Sequence, residues 1–155
     1  MIRIGVMDEG GIEQQMDHLL GIDATLGTDA WTGREFRLDL PEKFRHSRWA
    51  LDEAGVPVGF AVVSRKGESV HVHRLVVEPA RRREKIGRTL LRAVAESARA
   101  SGLERMTLKV SSANEAAIRF YEALGFEREK MENENLVLGI AVVMLLGADH
   151  PAGPG

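Results

Sequence analysis

The sequence contains no cysteine. That excludes a disulfide framework, a thiolate metal site and a cysteine nucleophile, so any chemistry must come from other side chains. Aromatic residues make up 5% of the chain, and Tyr121 is its one tyrosine. Charge of one sign is not in excess either. Lys and Arg number 21 and Asp and Glu 23, a formal net charge of −2, which excludes the whole-chain basic field that drives nucleic-acid binding. Long apolar runs are missing as well. The most apolar stretch, 136–146 (LVLGIAVVMLL), falls far short of the roughly 20 residues that cross a bilayer and reads as a buried strand. The opening MIRIGV is too short for a secretory h-region, and no small-residue cleavage site follows it. A cytoplasmic protein without membrane association is therefore expected.

What is present is 155 residues with 44% hydrophobic content, enough to bury one core. We expect a single domain over 1–147 and a disordered tail over 148–155, which holds Pro151, Pro154, Gly153 and Gly155. Residues 2–6 alternate like a strand, and Ile12, Met16, Leu19 and Leu20 then share one helical face. Between 27 and 46 the pattern weakens to one or two short helices, with Thr32 as a cap and Pro41 as a break. Strands around 49–51, 56–64 and 70–77 form an antiparallel meander, with a turn at 52–55.

The period then changes. Ile86, Leu90, Leu91, Val94, Ala95 and Ala98 mark a helix that Gly102 can end. Met106, Leu108 and Val110 alternate as a strand, Asn114 can cap a second helix, and a strand or strand pair fills 127–146. The fold class is mixed α/β, and many chemistries share such layouts.

Residues 75–88 (LVVEPARRREKIGR) lead from a strand through a basic loop into a helix. Free N–H groups in a helix's first turn, together with the positive end of its dipole, welcome a phosphate. Between 81 and 92 six basic residues (Arg81, Arg82, Arg83, Lys85, Arg88, Arg92) stand against Glu84. The alternative is a solvated helix start. In 70–75 the alternation puts His71 and His73 on one strand face, as proton acceptors near neutral pH or as ordinary strand histidines. No third ligand at a recognisable spacing accompanies them, so no metal is expected. Asp23, Asp29 and Glu35 lie near Trp31 in an acidic first third of the chain, either drawing in a cationic amine or serving as plain surface charges.

Residues 110–126 (VSSANEAAIRFYEALGF) follow the basic segment, and together the two resemble the GCN5-related N-acetyltransferase (GNAT) superfamily. Its signature places Arg or Gln, two residues, Gly, one residue, then Gly or Ala at the pyrophosphate of acetyl-CoA. Here Arg82 takes the first position and Gly87 the last, while Lys85 and Arg83 stand at sites that are usually glycine. The resemblance implies a mostly antiparallel central sheet, splayed between the fourth and fifth strands and flanked by helices. It further implies acetyl-CoA as co-substrate. Leu75, Val76 and Val77 would pair with the pantetheine arm; Arg82, Arg83, Lys85, Ile86, Gly87 and Arg88 would meet the pyrophosphate; and Asn114 would contact the arm. Tyr121 would protonate the departing thiolate, the alternative being a merely amphipathic Tyr121 beside a core Phe120, and His71 or His73 would act as base. The acceptor would be a primary amine on a small molecule or peptide, and a homodimer through 136–146 is an option. Other acyl donors (a longer acyl-CoA, an aminoacyl-tRNA) and a non-catalytic CoA-sensing module are the alternatives that Lys85 raises.

Overall fold

Alternating apolar residues commit the chain to strands wherever helices can cover both faces. The computed structural model describes residues 1–27 and 29–147. The order is β1 (Arg3–Val6), α1 (Glu9–Gln14), α2 (Met16–Ala24), α3 (Gly33–Arg37), α4 (Lys43–His46), β2 (Arg48–Leu51), β3 (Pro57–Lys66) and β4 (Ser69–Val77). A 3-10 turn (Pro79–Glu84), α5 (Ile86–Ala100), β5 (Arg105–Ser111), α6 (Glu115–Ala123), β6 (Glu127–Glu132), β7 (Asn135–Ala141) and α7 (Val142–Gly147) complete it. The strands form one sheet in the order β1-β2-β3-β4-β5-β7-β6. Every neighbouring pair is antiparallel except β4 with β5.

β4 and β5 pair from Ser69 opposite Arg105 to Val72 opposite Leu108 and no further. Beyond that point β3 stays with β4 as far as Val77, while β5 stays with β7 as far as Ser111. The expected splay is therefore present. It coincides with a bulge: Val62 pairs with Arg74 and Val63 with Val72, so His73 is an extra residue on β4. An inserted residue bends a strand and sends later side chains to the opposite face. Accordingly Val70 and Val72 pack into the same core as Leu75 and Val77, whereas Val76 packs into the other.

Helices cover both faces of the sheet. On one, Ile86, Leu90, Leu91, Val94, Ala95 and Ala98 of α5 are all buried, against Val63, Met106, Leu108 and Leu138 among others. On the other, Ile12, Met16, Leu19 and Ile22 of α1 and α2 join Phe36 of α3 against Trp49, Phe60 and Val62. Gly125 ends α6 at φ +108, a conformation few L-residues adopt.

Three details differ from the sequence reading. The apolar run 136–146 is not one strand: β7 stops at Ala141, and α7 brings Val142 and Leu145, one turn apart, into the core. The first helical stretch is two helices meeting at Gln15. The basic loop winds into a 3-10 turn. The expected tail, 148–155, lies outside the described residues. No helix among those described is long and apolar enough to cross a membrane.

Leu90 is fully buried at the centre of the α5 face. Leu90→Ala should lower the unfolding free energy by about 2–5 kcal/mol in urea titration; a loss below about 1 kcal/mol would contradict this packing.

Candidate active site

Where β4 and β5 part, β4 keeps a partner on one edge only. The Glu78 N–H donates to the Val58 carbonyl at 2.9 Å, so by the two-residue period Val76 and Arg74 also turn their backbone groups toward β3. Leu75 and Val77 consequently turn theirs toward the gap. The gap holds a cavity of about 370 Å³, lined by Val72, His73, Arg74 and Leu75, by residues 108–111 of β5, and by Asn114, Ala117 and Tyr121. A second cavity of about 390 Å³ shares Leu75, Asn114, Ala117 and Tyr121 and extends to Val77, Arg82, Lys85, Gly87, Arg88 and Phe120. Tyr121 thus stands where the two halves meet.

The far half ends in the basic segment. Lys85 adopts φ +60 and ψ 30, the left-handed conformation that costs an L-residue about 1–2 kcal/mol. This explains why glycine suits the position in the resembling signature. Directly after it α5 begins, and the N–H groups of its first turn, at Ile86, Gly87 and Arg88, point back along the helix axis toward the basic segment. Arg82, Lys85 and Arg88 border the cavity. Arg83 is exposed and does not border it, and the Ile86 side chain is buried in the core. Gly87 serves close packing: a Cβ there would lie 3.3 Å from the Phe120 ring. Val76 borders the cavity, but its side chain is buried on the opposite face.

α6 supplies the junction. The Asn114 side chain accepts a hydrogen bond from the Ala117 N–H at 3.1 Å, capping the helix, and it also lines both cavities. The alternative sequence reading, a core Phe120 beside a merely amphipathic Tyr121, is reversed in the structure. Phe120 is 39% exposed and walls the cavity, while Tyr121 packs against the core with edge contacts to Phe120 and Phe126. Burial pushes the Tyr121 phenol up to about 12. Its proton is therefore held throughout the neutral and alkaline range.

The two histidines, whose ring centroids lie 5.0 Å apart, differ in placement. His71 is buried, faces Thr107 across the paired part of β4 and β5 with Nδ1 2.8 Å from the hydroxyl, and does not line the cleft. Burial, then the charges of His73, Lys66 and Lys109, push it down to about 4. His73 lines the cleft from the bulge, its Nε2 2.7 Å from the Ser64 hydroxyl. Burial and the charges of Lys66 and Lys43 lower it as well, so it is neutral and able to take a proton at pH 7. Among the described residues no three His, Cys, Asp or Glu are placed to hold a metal ion.

The acidic residues near Trp31 are mostly engaged. Asp23 is fully buried and receives Arg74 Nε at 2.7 Å and Nη2 at 2.9 Å, as well as the Trp31 N–H at 2.7 Å. Arg74 also covers the Trp31 ring, 5.3 Å from its centroid. Glu35 closes a capping box with Thr32. Asp29 alone of the three lines the cleft. Sequence reasoning missed Arg74 and Lys109, which line it too. No local pattern signals the Arg74–Asp23 pair, because 51 residues separate its members.

The histidine burial has a measurable consequence. An unfolded His protonates near 6.5, while folded His71 resists down to about 4, so between these values the unfolded state binds more protons and stability falls as pH falls. On going from pH 7 to pH 5 the unfolding free energy should drop by about 2 kcal/mol through His71. His71→Asn should remove that part of the drop in urea titrations at the two pH values.

Comparison with known proteins agrees with this geometry. The N-alpha-acetyltransferase RimI of Mycobacterium tuberculosis is 34% identical over 107 residues, covering 66% of this chain and 65% of that protein, so the match spans just under two thirds of that relative. The ribosomal-protein-S18-alanine N-acetyltransferase of Escherichia coli superposes with a TM-score of 0.76 at 18% identity, over 92% of this chain and 94% of that one. The PaiA N-acetyltransferase of Thermoplasma acidophilum, solved in complex with coenzyme A, does so with a TM-score of 0.70 at 15% identity, over 91% and 99%. Both structures share the fold. Residues 16–126 match the family profile itself, and the chain belongs to the acetyltransferase (GNAT) family.

Proposed function

We propose that the protein is an N-acetyltransferase that moves the acetyl group of acetyl-CoA to a primary amine by direct attack within a ternary complex. The observation that carries this is the position of Tyr121, at the junction between a cavity ending in a basic helix start and a cavity open to an acceptor. The residues present suit the donor. Arg82, Lys85, Arg88 and the first-turn N–H groups of α5 would take its phosphates. The unpaired edge at Leu75 and Val77 would hydrogen-bond its pantetheine amides, with Asn114 and Phe120 along the arm. Coenzyme A in the Thermoplasma acidophilum structure supports this assignment.

The amine nitrogen bonds to the thioester carbonyl carbon, the C–S bond breaks, the sulfur takes a proton from the Tyr121 hydroxyl, and the second proton shed by the acylated nitrogen restores the phenol, directly or through water. In the free cleft that phenol, at about 12, is a weaker acid than a thiol near 8.5. The same apolar wall raises the basicity of a thiolate formed beside it, which brings the two groups closer to balance. The acceptor ammonium loses its proton to neutral His73, directly or through water. An alanine of ribosomal protein S18 as acceptor, in the name of the Escherichia coli protein, supports a peptide amine here.

Tyr121→Phe should lower turnover by about 10²-fold or more while acetyl-CoA still binds in calorimetric titration. Unchanged turnover would remove Tyr121 from the reaction. Lys85→Gly relieves left-handed strain and deletes a charge. The unfolding free energy should not fall, and the acetyl-CoA dissociation constant should rise about 2- to 5-fold, as for a single exposed charge contact. Binding tightened about 10-fold would instead make Lys85 an obstruction.

A further inference from the structure

The acceptor half of the cleft is lined by Asp29, His73, Arg74, Lys109 and Tyr121 as its ionisable groups. Their charges are not equally available. Arg74 is held by buried Asp23 through two hydrogen bonds of 2.7 and 2.9 Å. Lys109 is held by Glu132 at 2.8 Å. Burial lowers His73 and raises Tyr121, which leaves both neutral at pH 7. The Asp29 carboxylate is the exception: among the described residues it has no ion pair and no side-chain hydrogen bond. Asp29 is thus the one ionisable residue lining this half whose charge has no partner among the described residues.

Asp29 is also fixed in place. Its φ is +49, a left-handed conformation that Asp tolerates better than most residues but that still needs support. The support is visible: the Asp29 carbonyl accepts Arg74 Nη2 at 2.9 Å, the same guanidinium that grips Asp23 and covers Trp31. One arginine on β4 therefore holds the Asp29 backbone beside the cleft and leaves its carboxylate free.

We propose that Asp29 anchors the acceptor's ammonium and, through its charge, rejects amines that carry an α-carboxylate. The inference rests on the reading of this cleft as an amine-acceptor site and deepens it. A primary amine arrives protonated and needs a counter-charge until His73 or water takes its proton. A free amino acid would bring a second carboxylate within a few ångströms of Asp29, a like-charge approach that disfavours it. The accepted class is then a peptide N-terminus, an amino-acid amide or an alkylamine, and free amino acids are excluded.

The test compares alaninamide with alanine, using acetyl-CoA as donor, in the wild type and in Asp29→Asn, which keeps a residue tolerant of positive φ. In the wild type, kcat/KM for alaninamide should exceed that for alanine at least about 10-fold, equivalent to about 1.4 kcal/mol. In Asp29→Asn the alaninamide KM should rise about 10-fold and the discrimination collapse toward one, with acetyl-CoA affinity unchanged. A merely structural loop residue would not alter the ratio. Unchanged KM and ratio in the variant overturn the proposal. If the wild type binds acetyl-CoA but acetylates neither amine, the transfer reading fails, and calorimetry with alaninamide in the presence of CoA then decides on Asp29. Binding weakened about 10-fold by Asp29→Asn supports the anchor; equal binding, or none to the wild type, overturns it.

Discussion

Two strands that begin as neighbours and then separate leave peptide groups without a ladder partner, and peptide groups in a cleft require one. In this chain the separation follows Val72 and Leu108, and the rest of the site is arranged around it. The bulge at His73 bends β4 where the pairing ends. The freed edge at Leu75 and Val77 runs toward the start of α5, while α6 lies across the gap with Asn114 and Tyr121 against it. A bound molecule would complete the sheet's hydrogen bonding, as an added strand does in peptide recognition.

The electrostatics follow from the same arrangement. A cleft between two strands is poorly solvated, so isolated charges in it are disfavoured unless paired. Arg74 has Asp23, Lys109 has Glu132, and the two remaining titratable groups on the chemistry, His73 and Tyr121, are shifted further toward their neutral forms by desolvation. Opposite charges are left at the two ends: basic residues at the start of α5 and Asp29 on the acceptor side. An anionic donor and a cationic acceptor would therefore be drawn to different ends, with Tyr121 between them.

Much of this could be read from sequence because it is written in local periods. The 3.6-residue repeat from Ile86 to Ala98, the Thr32 and Asn114 caps and the glycine after α6 each depend on neighbours a few residues away. The splay was available only through resemblance. What escaped depends on distant contacts or on a broken period. Strict alternation along β4 has no place for an inserted His73, so it could not separate His71, buried against Thr107, from His73, which reaches the cleft. The same rule made 136–146 one strand, when Val142 and Leu145 needed a helical turn to reach the core. Phe120 and Tyr121 are adjacent on α6, and which ring faces the cavity depends on contacts distant in sequence, such as that of the Phe120 ring with Gly87. Lys85 looked like a blemish in a phosphate-binding signature; its left-handed backbone shows that the turn is kept and the strain borne.

The central claim is that the unpaired β4 edge and the start of α5 form one donor slot. Amide hydrogen exchange with and without acetyl-CoA tests it most directly. Slowed exchange concentrated at Leu75 and Val77 and at Ile86, Gly87 and Arg88 is the expected result. Binding that protects a different part of the sheet, or no binding at millimolar acetyl-CoA (on the order of −4 kcal/mol), would contradict it.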